Sequence, residues 1–212
     1  MNLADTAVVL DTCVLLKPRM SDVIMDIRAE NVMSVHWTLG IDAEFLKNAT
    51  AVFGLSATAA ERRLSAMKRR CPDWELFAST LDASMVPGRV DEKDRHVAAA
   101  ALTLRRSADE DGDAFDVLLV TDNVKDFAPG RMGALGVRVM TSGQFLDEAF
   151  AARPDAVERA LDRAVRDLRA PPYSLEELLF ALQEQGARSL TRAIADKRRV
   201  VPRKKDRRPP SD

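Results

Sequence analysis

Two rhythms of hydrophobic and polar positions alternate along the chain. Short apolar runs, Ala7 to Leu10 (AVVL), Val32 to Trp37 (VMSVHW), Asp116 to Thr121 (DVLLVT) and Val137 to Met140 (VRVM), read as strands, the first of them as a buried parallel one. Between them apolar residues recur at helical spacing. Val14 to Leu16 continues the first run until Pro18 punctuates it. Ser21 or Asp22 can then cap a helix to about Ala29 that carries Val23, Ile24 and Ile27. Thr38 can cap a helix with Ile41, Phe45 and Leu46, and Ala57 to Arg70 is a helix with Leu64 and Met67 apolar and a basic far face. Pro87 and Gly88 break the chain. Asp91 opens a helix bearing Val97, Ala98, Ala101, Leu102 and Leu104, residues 107–115 read as a solvated acidic loop, and Ser142 caps a helix to about Ala151. Strands separated by helices predict an α/β fold with a mainly parallel central sheet.

From about Pro154 the pattern becomes purely helical. Periodicity runs from Ala156 to Leu168, breaks at Pro171 and Pro172, resumes from Ser174 to Gln185 with Ser174 and Glu177 as a capping box, stops at Gly186 and returns from about Arg188 to Lys197. The chain therefore divides into an α/β domain over residues 1–150, a helical extension over 151–197 and a basic tail over 198–212 with too little apolar content to fold alone.

Charge sharpens this division. Residues 1–150 hold 17 Lys/Arg against 23 Asp/Glu, whereas residues 197–212 hold 8 against 2. An acidic body with a basic tail is a frequent arrangement in proteins that handle nucleic acid. Two cysteines, Cys13 and Cys71, cannot build a disulfide framework, and Cys13 in its apolar run reads as a small core residue. The N-terminus lacks the basic and apolar regions of a signal peptide, and no stretch approaches the roughly 20 apolar residues of a membrane span. The expectation is a reduced, cytoplasmic protein without a membrane partner.

The chemistry lies in acids at element ends. Asp11 follows the first strand and Asp122 the third, with Asp126 four residues later; Glu44 lies on the helix after Trp37; Asp94 lies in the first helical turn of DEKDRHVAAAA. In parallel sheets ligands bind beyond the carboxyl ends of the strands, where these side chains would gather. Clustered carboxylates repel one another, and a divalent cation removes that cost. Hard oxygen ligands select Mg²⁺ or Mn²⁺ over zinc, and such ions activate water in phosphodiester hydrolysis. Each acid also has a plain structural use as a turn former, a cap or a solvated helix residue.

The order of these pieces is more specific than any one of them. Asp11 after an N-terminal strand, W-T-L-G-I-D-A-E (Trp37 to Glu44), D-R-H-V-A-A-A (Asp94 to Ala100), V-T-D-N-V-K-D-F (Val120 to Phe127) and Gln144-Phe145-Leu146 together resemble the PIN-domain ribonucleases, most of all the VapC-like toxins of type II toxin–antitoxin pairs. The resemblance covers about residues 6–150. It implies a PIN-like three-layer fold and a metal-dependent endoribonuclease in which Asp11, Glu44, Asp94 and Asp122 bind Mg²⁺ or Mn²⁺, with Asp126 as a further acidic position. It also implies an RNA substrate and a small cognate antitoxin, and it is compatible with a homodimer. Thr12 and Cys13 depart from the small or amide residues often found there, and the 107–115 segment lengthens the link between the third and fourth acids.

Competing chemistries fit less well. A haloacid-dehalogenase-type phosphatase needs an Asp where Cys13 stands, and no glycine in residues 11–17 forms a phosphate-cradling loop. His36, His96, Trp37 and Trp74 read as packing residues, with a supporting role for His96 beside Asp94 left open. Arg95 and Lys125, adjacent to Asp94 and Asp122, are the best candidates for RNA phosphates among several flanking basic residues, and Asn123 can hydrogen-bond a ligand or phosphate. Three function classes remain: a toxin ribonuclease, a free-standing PIN nuclease of RNA processing, and a non-catalytic PIN-like binding protein.

Overall fold

The computed structural model describes residues 5–78, 80–111, 115–167 and 172–205. Four parallel strands, β1 (Thr6–Leu10), β2 (Ser34–His36), β3 (Asp116–Val120) and β4 (Val137–Met140), form one sheet in the order β2-β1-β3-β4. Leu10 lies beside Val120, and Val120 beside Met140, so the strands end nearly level. The chain leaves β1 toward β2, then returns past β1 to β3. The order reverses at that point, and a crevice opens between the carboxyl ends of β1 and β3.

Eleven helices surround the sheet among the described residues: α1 (Thr12–Leu15), α2 (Pro18–Arg28), α3 (Leu39–Ala51), α4 (Ala57–Arg70), α5 (Thr80–Met85), α6 (Arg95–Asp111), α7 (Pro129–Ala134), α8 (Ser142–Ala152), α9 (Pro154–Asp167), α10 (Leu175–Glu184) and α11 (Arg188–Arg198). The chain crosses from β1 to β2 and from β2 to β3 in opposite directions, and right-handed crossovers of that kind put their helices, here α2 and α6, on opposite faces. Helix α6 packs on β1, β3 and β4, and α2 packs on β2. All five residues of β1 are buried, as a strand covered on both sides requires. The result is a three-layer α/β fold. Helices α9 and α10 pack behind α2, and α11 packs on α8, so the C-terminal helices clasp the sheet domain from its first long helix to its last.

Local chemistry explains most boundaries. Thr38 and Ser56 cap α3 and α4 by accepting from Ile41 and Ala59 backbone N–H groups. Ser174 and Glu177 form the expected capping box on α10. Several boundaries differ from the sequence reading. Pro18 opens α2 as its first residue, where its fixed φ and missing N–H cost nothing. Helix α6 continues through the acidic stretch to Asp111, because Arg105 pairs with Asp109 and Arg106 with Glu110 one turn apart; residues 112–114 of the expected loop lie outside the described residues. Thr141, not Ser142, caps α8, with Gln144 completing a capping box. His36 is half-buried, and burial holds its imidazole below the ordinary range. Trp37 and Trp74 are core, as expected, with ring centroids 5.1 Å apart.

One buried acid works against the fold. Asp26 on α2 is 1% exposed, and burial lifts its pKa to about 6 against the pull of Arg70 and Arg163. The Arg70 guanidinium stands 3.1 Å away, but no well-aligned hydrogen bond reaches the carboxylate. An acid with a raised folded pKa costs nothing below its ordinary pKa and its full penalty above the folded value. Asp26→Asn should therefore stabilise the protein at pH 7.5 by on the order of 2–3 kcal/mol. The gain should shrink as pH falls through 6 and vanish near 4. Parallel denaturant melts across that range check it, and a gain independent of pH would refute the assignment.

Candidate active site

The crevice between β1 and β3 holds the first acid. Asp11 leaves β1 with its backbone N–H bonded to the Val120 carbonyl at 3.1 Å, so the sheet fixes its position. Its side chain is 4% exposed and makes no helix-cap bond to α1. Oδ2 accepts from the Thr121 hydroxyl at 2.6 Å and from the Cys13 thiol at 3.1 Å. Burial, and then the charge of Asp11, push the Cys13 thiol up to about 12, so it stays a protonated donor. Cys13 is only partly buried and serves as a polar support as well as a packing residue.

Asp94 faces this group from a 3-10 turn (Glu92–Asp94) that Asp91 caps through the Lys93 N–H. It is 7% exposed, and its Oδ2 is buried without a hydrogen-bond partner. Burial first, and Asp11 second, raise its pKa to about 6; Asp91 and Asp126 push in the same direction, and Lys93 opposes them. Glu44 on α3 lies across Thr12, whose hydroxyl donates to Glu44 Oε2 at 2.8 Å. His96 Nδ1 contacts the Lys93 carbonyl at 2.9 Å, and its Nε2 stands 3.6 Å from Glu44 Oε2.

Asp122 is held differently. Lys17 contacts its Oδ2 at 2.6 Å, and the Ser142 N–H and hydroxyl donate to Oδ1 at 3.0 and 2.8 Å. Both oxygens are thus engaged, tying the end of β3 to the start of α2 and to α8. Asp126 lies farther round the turn, with the Lys93 ammonium at 3.9 Å, and its backbone carbonyl accepts from the Asp91 N–H. Asn123 and Lys125 are exposed on the same turn. Arg95 is half-buried, and its guanidinium donates to the carbonyls of Ala83, Val86 and Pro87 at 3.4–3.5 Å.

The structure therefore couples Asp11 and Asp94 most closely, sets Glu44 one hydroxyl away, and commits Asp122 to Lys17 and Ser142. The frame of Thr12, Cys13, Lys17, Thr121 and Ser142 was not recognised from the sequence; the signal available was that three of the five, Thr12, Cys13 and Thr121, adjoin a named acid or follow it by two residues. Among the described residues no three His, Cys, Asp or Glu side chains form a ready-made metal cage. The donor chemistry still suits a hard cation. Two buried carboxylates repel across the crevice, and one of them presents an unpartnered oxygen.

Residues 143–196 match the family described as VapC50 C-terminal domain. Over those residues the chain is similar to that domain. This similarity agrees with the VapC-like motif order of residues 6–150. No curated protein and no solved structure matches the chain. Among the described residues no helix is long and apolar enough to cross a membrane. The matched segment begins beside the site: Ser142, which grips Asp122, immediately precedes it. Gly143 meets the turn between α10 and α11 so closely that a Cβ would stand 2.4 Å from the Gly186 carbonyl carbon. Farther along α8, Asp147 caps α11 by accepting from Ser189 and Leu190 N–H at 3.1 and 2.8 Å. The matched segment thus backs the helix start from which Ser142 reaches Asp122.

Proposed function

We propose that the chain is a divalent-cation-dependent endoribonuclease and the toxin of a toxin–antitoxin pair. The observation that carries this reading is Asp94: a buried carboxylate with an unpartnered oxygen, facing the charge of Asp11 at the switch point of a parallel sheet. The VapC50 match supports the toxin part.

Asp11, Asp94 and Glu44 would hold Mg²⁺ or Mn²⁺, with Asp122 and Asp126 completing the negative field. The cation supplies positive charge at the phosphodiester and acidifies water. The protein's own groups set the geometry. Thr121 and Cys13 fix one oxygen of Asp11, Thr12 fixes Glu44, and Lys17 with Ser142 hold Asp122. Lys125 and Asn123, exposed on the turn after β3, meet RNA phosphates, while Arg95 holds the chain before the Asp94 turn. A small antitoxin neutralises the enzyme.

Purified chain should cleave RNA in Mg²⁺ or Mn²⁺ and stop in EDTA, and expression without its antitoxin should arrest growth. Cleavage undiminished in EDTA would refute the metal role. Metal-dependent cleavage without growth arrest would move the chain to RNA processing.

A further inference from the structure

A groove of about 810 Å³ opens beside the acids, and the site so far described uses only one of its walls. Glu44 and His96 form that wall, and Lys47 and Lys93, both exposed, stand among the remaining lining. Leu39 and Phe77 line it too, 56% and 74% exposed. Leu39 is the first residue of α3, fixed by the Thr38 cap. Phe77 follows a segment sewn to the end of β2: the Trp37 N–H donates to the Trp74 carbonyl at 2.8 Å, and the Leu76 N–H to the Trp37 carbonyl at 2.9 Å. Backbone anchored up to Leu76 thus brings an exposed aromatic ring into the same groove as an exposed aliphatic chain and the Glu44 carboxylate.

From this juxtaposition we infer that the groove is a base-binding subsite for single-stranded RNA, in which an unstacked base rests on Phe77 and Leu39 and the flanking phosphates meet Lys47 and Lys93. The inference deepens the nuclease reading and rests on it for the identity of the substrate. An aromatic face accepts any base by stacking, whereas a duplex keeps its base faces covered. The two lysines match a polyanion and carry no sequence information. The subsite therefore selects unpaired RNA rather than a particular sequence, and it places the phosphate next to the bound base against Glu44.

Anisotropy of a short fluorescein-labelled single-stranded oligoribonucleotide, read on full-length Asp94→Asn protein in EDTA, tests the groove without cleavage or metal. Adding Phe77→Ala should weaken binding about tenfold, and Phe77→Trp should preserve it. Lys47→Ala should flatten the salt dependence. An unlabelled duplex of the same sequence should compete poorly. In the otherwise wild-type enzyme Phe77→Ala should raise KM with kcat little changed. The thermal midpoint should hold in every Phe77 variant, since the ring is exposed. No binding of the labelled strand, binding indifferent to Phe77→Ala, or equal competition by duplex overturns the subsite. RNA binding unmoved by Phe77→Ala while antitoxin capture is lost assigns the groove to a peptide instead. A labelled strand that binds as expected to a protein that cleaves nothing leaves the groove standing and removes the nuclease reading; cleavage with neither binding nor KM sensitive to Phe77 does the reverse.

Discussion

Asp94→Asn should lower RNA cleavage at least about 100-fold and at the same time raise the thermal midpoint of the metal-free protein. The two effects have one origin. Asp94 is buried beside Asp11, and its Oδ2 has no donor to offset the lost hydration. In the proposed enzyme that uncompensated charge is what a cation binds; without the cation it is only a cost. Asn keeps the shape and removes the charge. Asp11→Asn should also lose cleavage, and its fold should survive because an amide carbonyl can still accept from Thr121 and Cys13. Cleavage rates and melting curves, each in EDTA and in excess Mg²⁺, separate the possibilities. Added Mg²⁺ should raise the midpoint of the wild type more than that of Asp94→Asn. If Asp94 merely shapes its turn, Asn would serve equally well and activity would remain near normal.

Gly143→Ala should be the most damaging small substitution in the chain. Its new methyl would stand 2.4 Å from the Gly186 carbonyl carbon and 2.6 Å from the Gln185 carbonyl oxygen. Both are backbone atoms, so no side chain can swing aside. The C-terminal helices must shift, at a cost of about 1–3 kcal/mol or more. Ser142, the neighbour that grips Asp122, must shift with them, so cleavage should fall as well. Gly133→Ala in α7 is the matched control. Its Cβ meets nothing within 4 Å, and helix propensity predicts a neutral or slightly stabilising change. Equal melting points for the two variants would show that the contact between α8 and the α10–α11 turn does not hold the domains together.

What could be read in the sequence was governed by short-range physics. AVVL and DVLLV announced buried strands because burial on both faces demands unbroken apolar runs. Thr38, Ser56 and Ser174 mark helix starts through side-chain bonds that span only three residues. Helix α1 was missed because four residues carry too little periodicity to register, and α5 and α7 are nearly as short. The acidic run after Arg106 read as loop on composition, although arginines one turn earlier neutralise it in place. The acids themselves were singled out from motif order, but their unequal circumstances were not legible. Nothing local in VTDN shows that Asp122 is engaged by Lys17, 105 residues away, or that Asp11 leans on Thr121. Phe77 gave no signal either, since its exposure follows from pairing between Trp37 and the Trp74–Leu76 segment.

The brace made by Ser142, Gly143 and Gly186 also sets an order in time. A ribosome emits the chain N-terminus first, and Gly186 emerges sixty residues after Asp126. At ordinary synthesis speeds that interval is roughly 3–12 s. By its end every acid of the site, and Ser142 that grips Asp122, is already outside, while the α10–α11 turn that packs on α8 is only then completed. The newborn chain therefore carries its acids for several seconds before the contact that backs α8 exists.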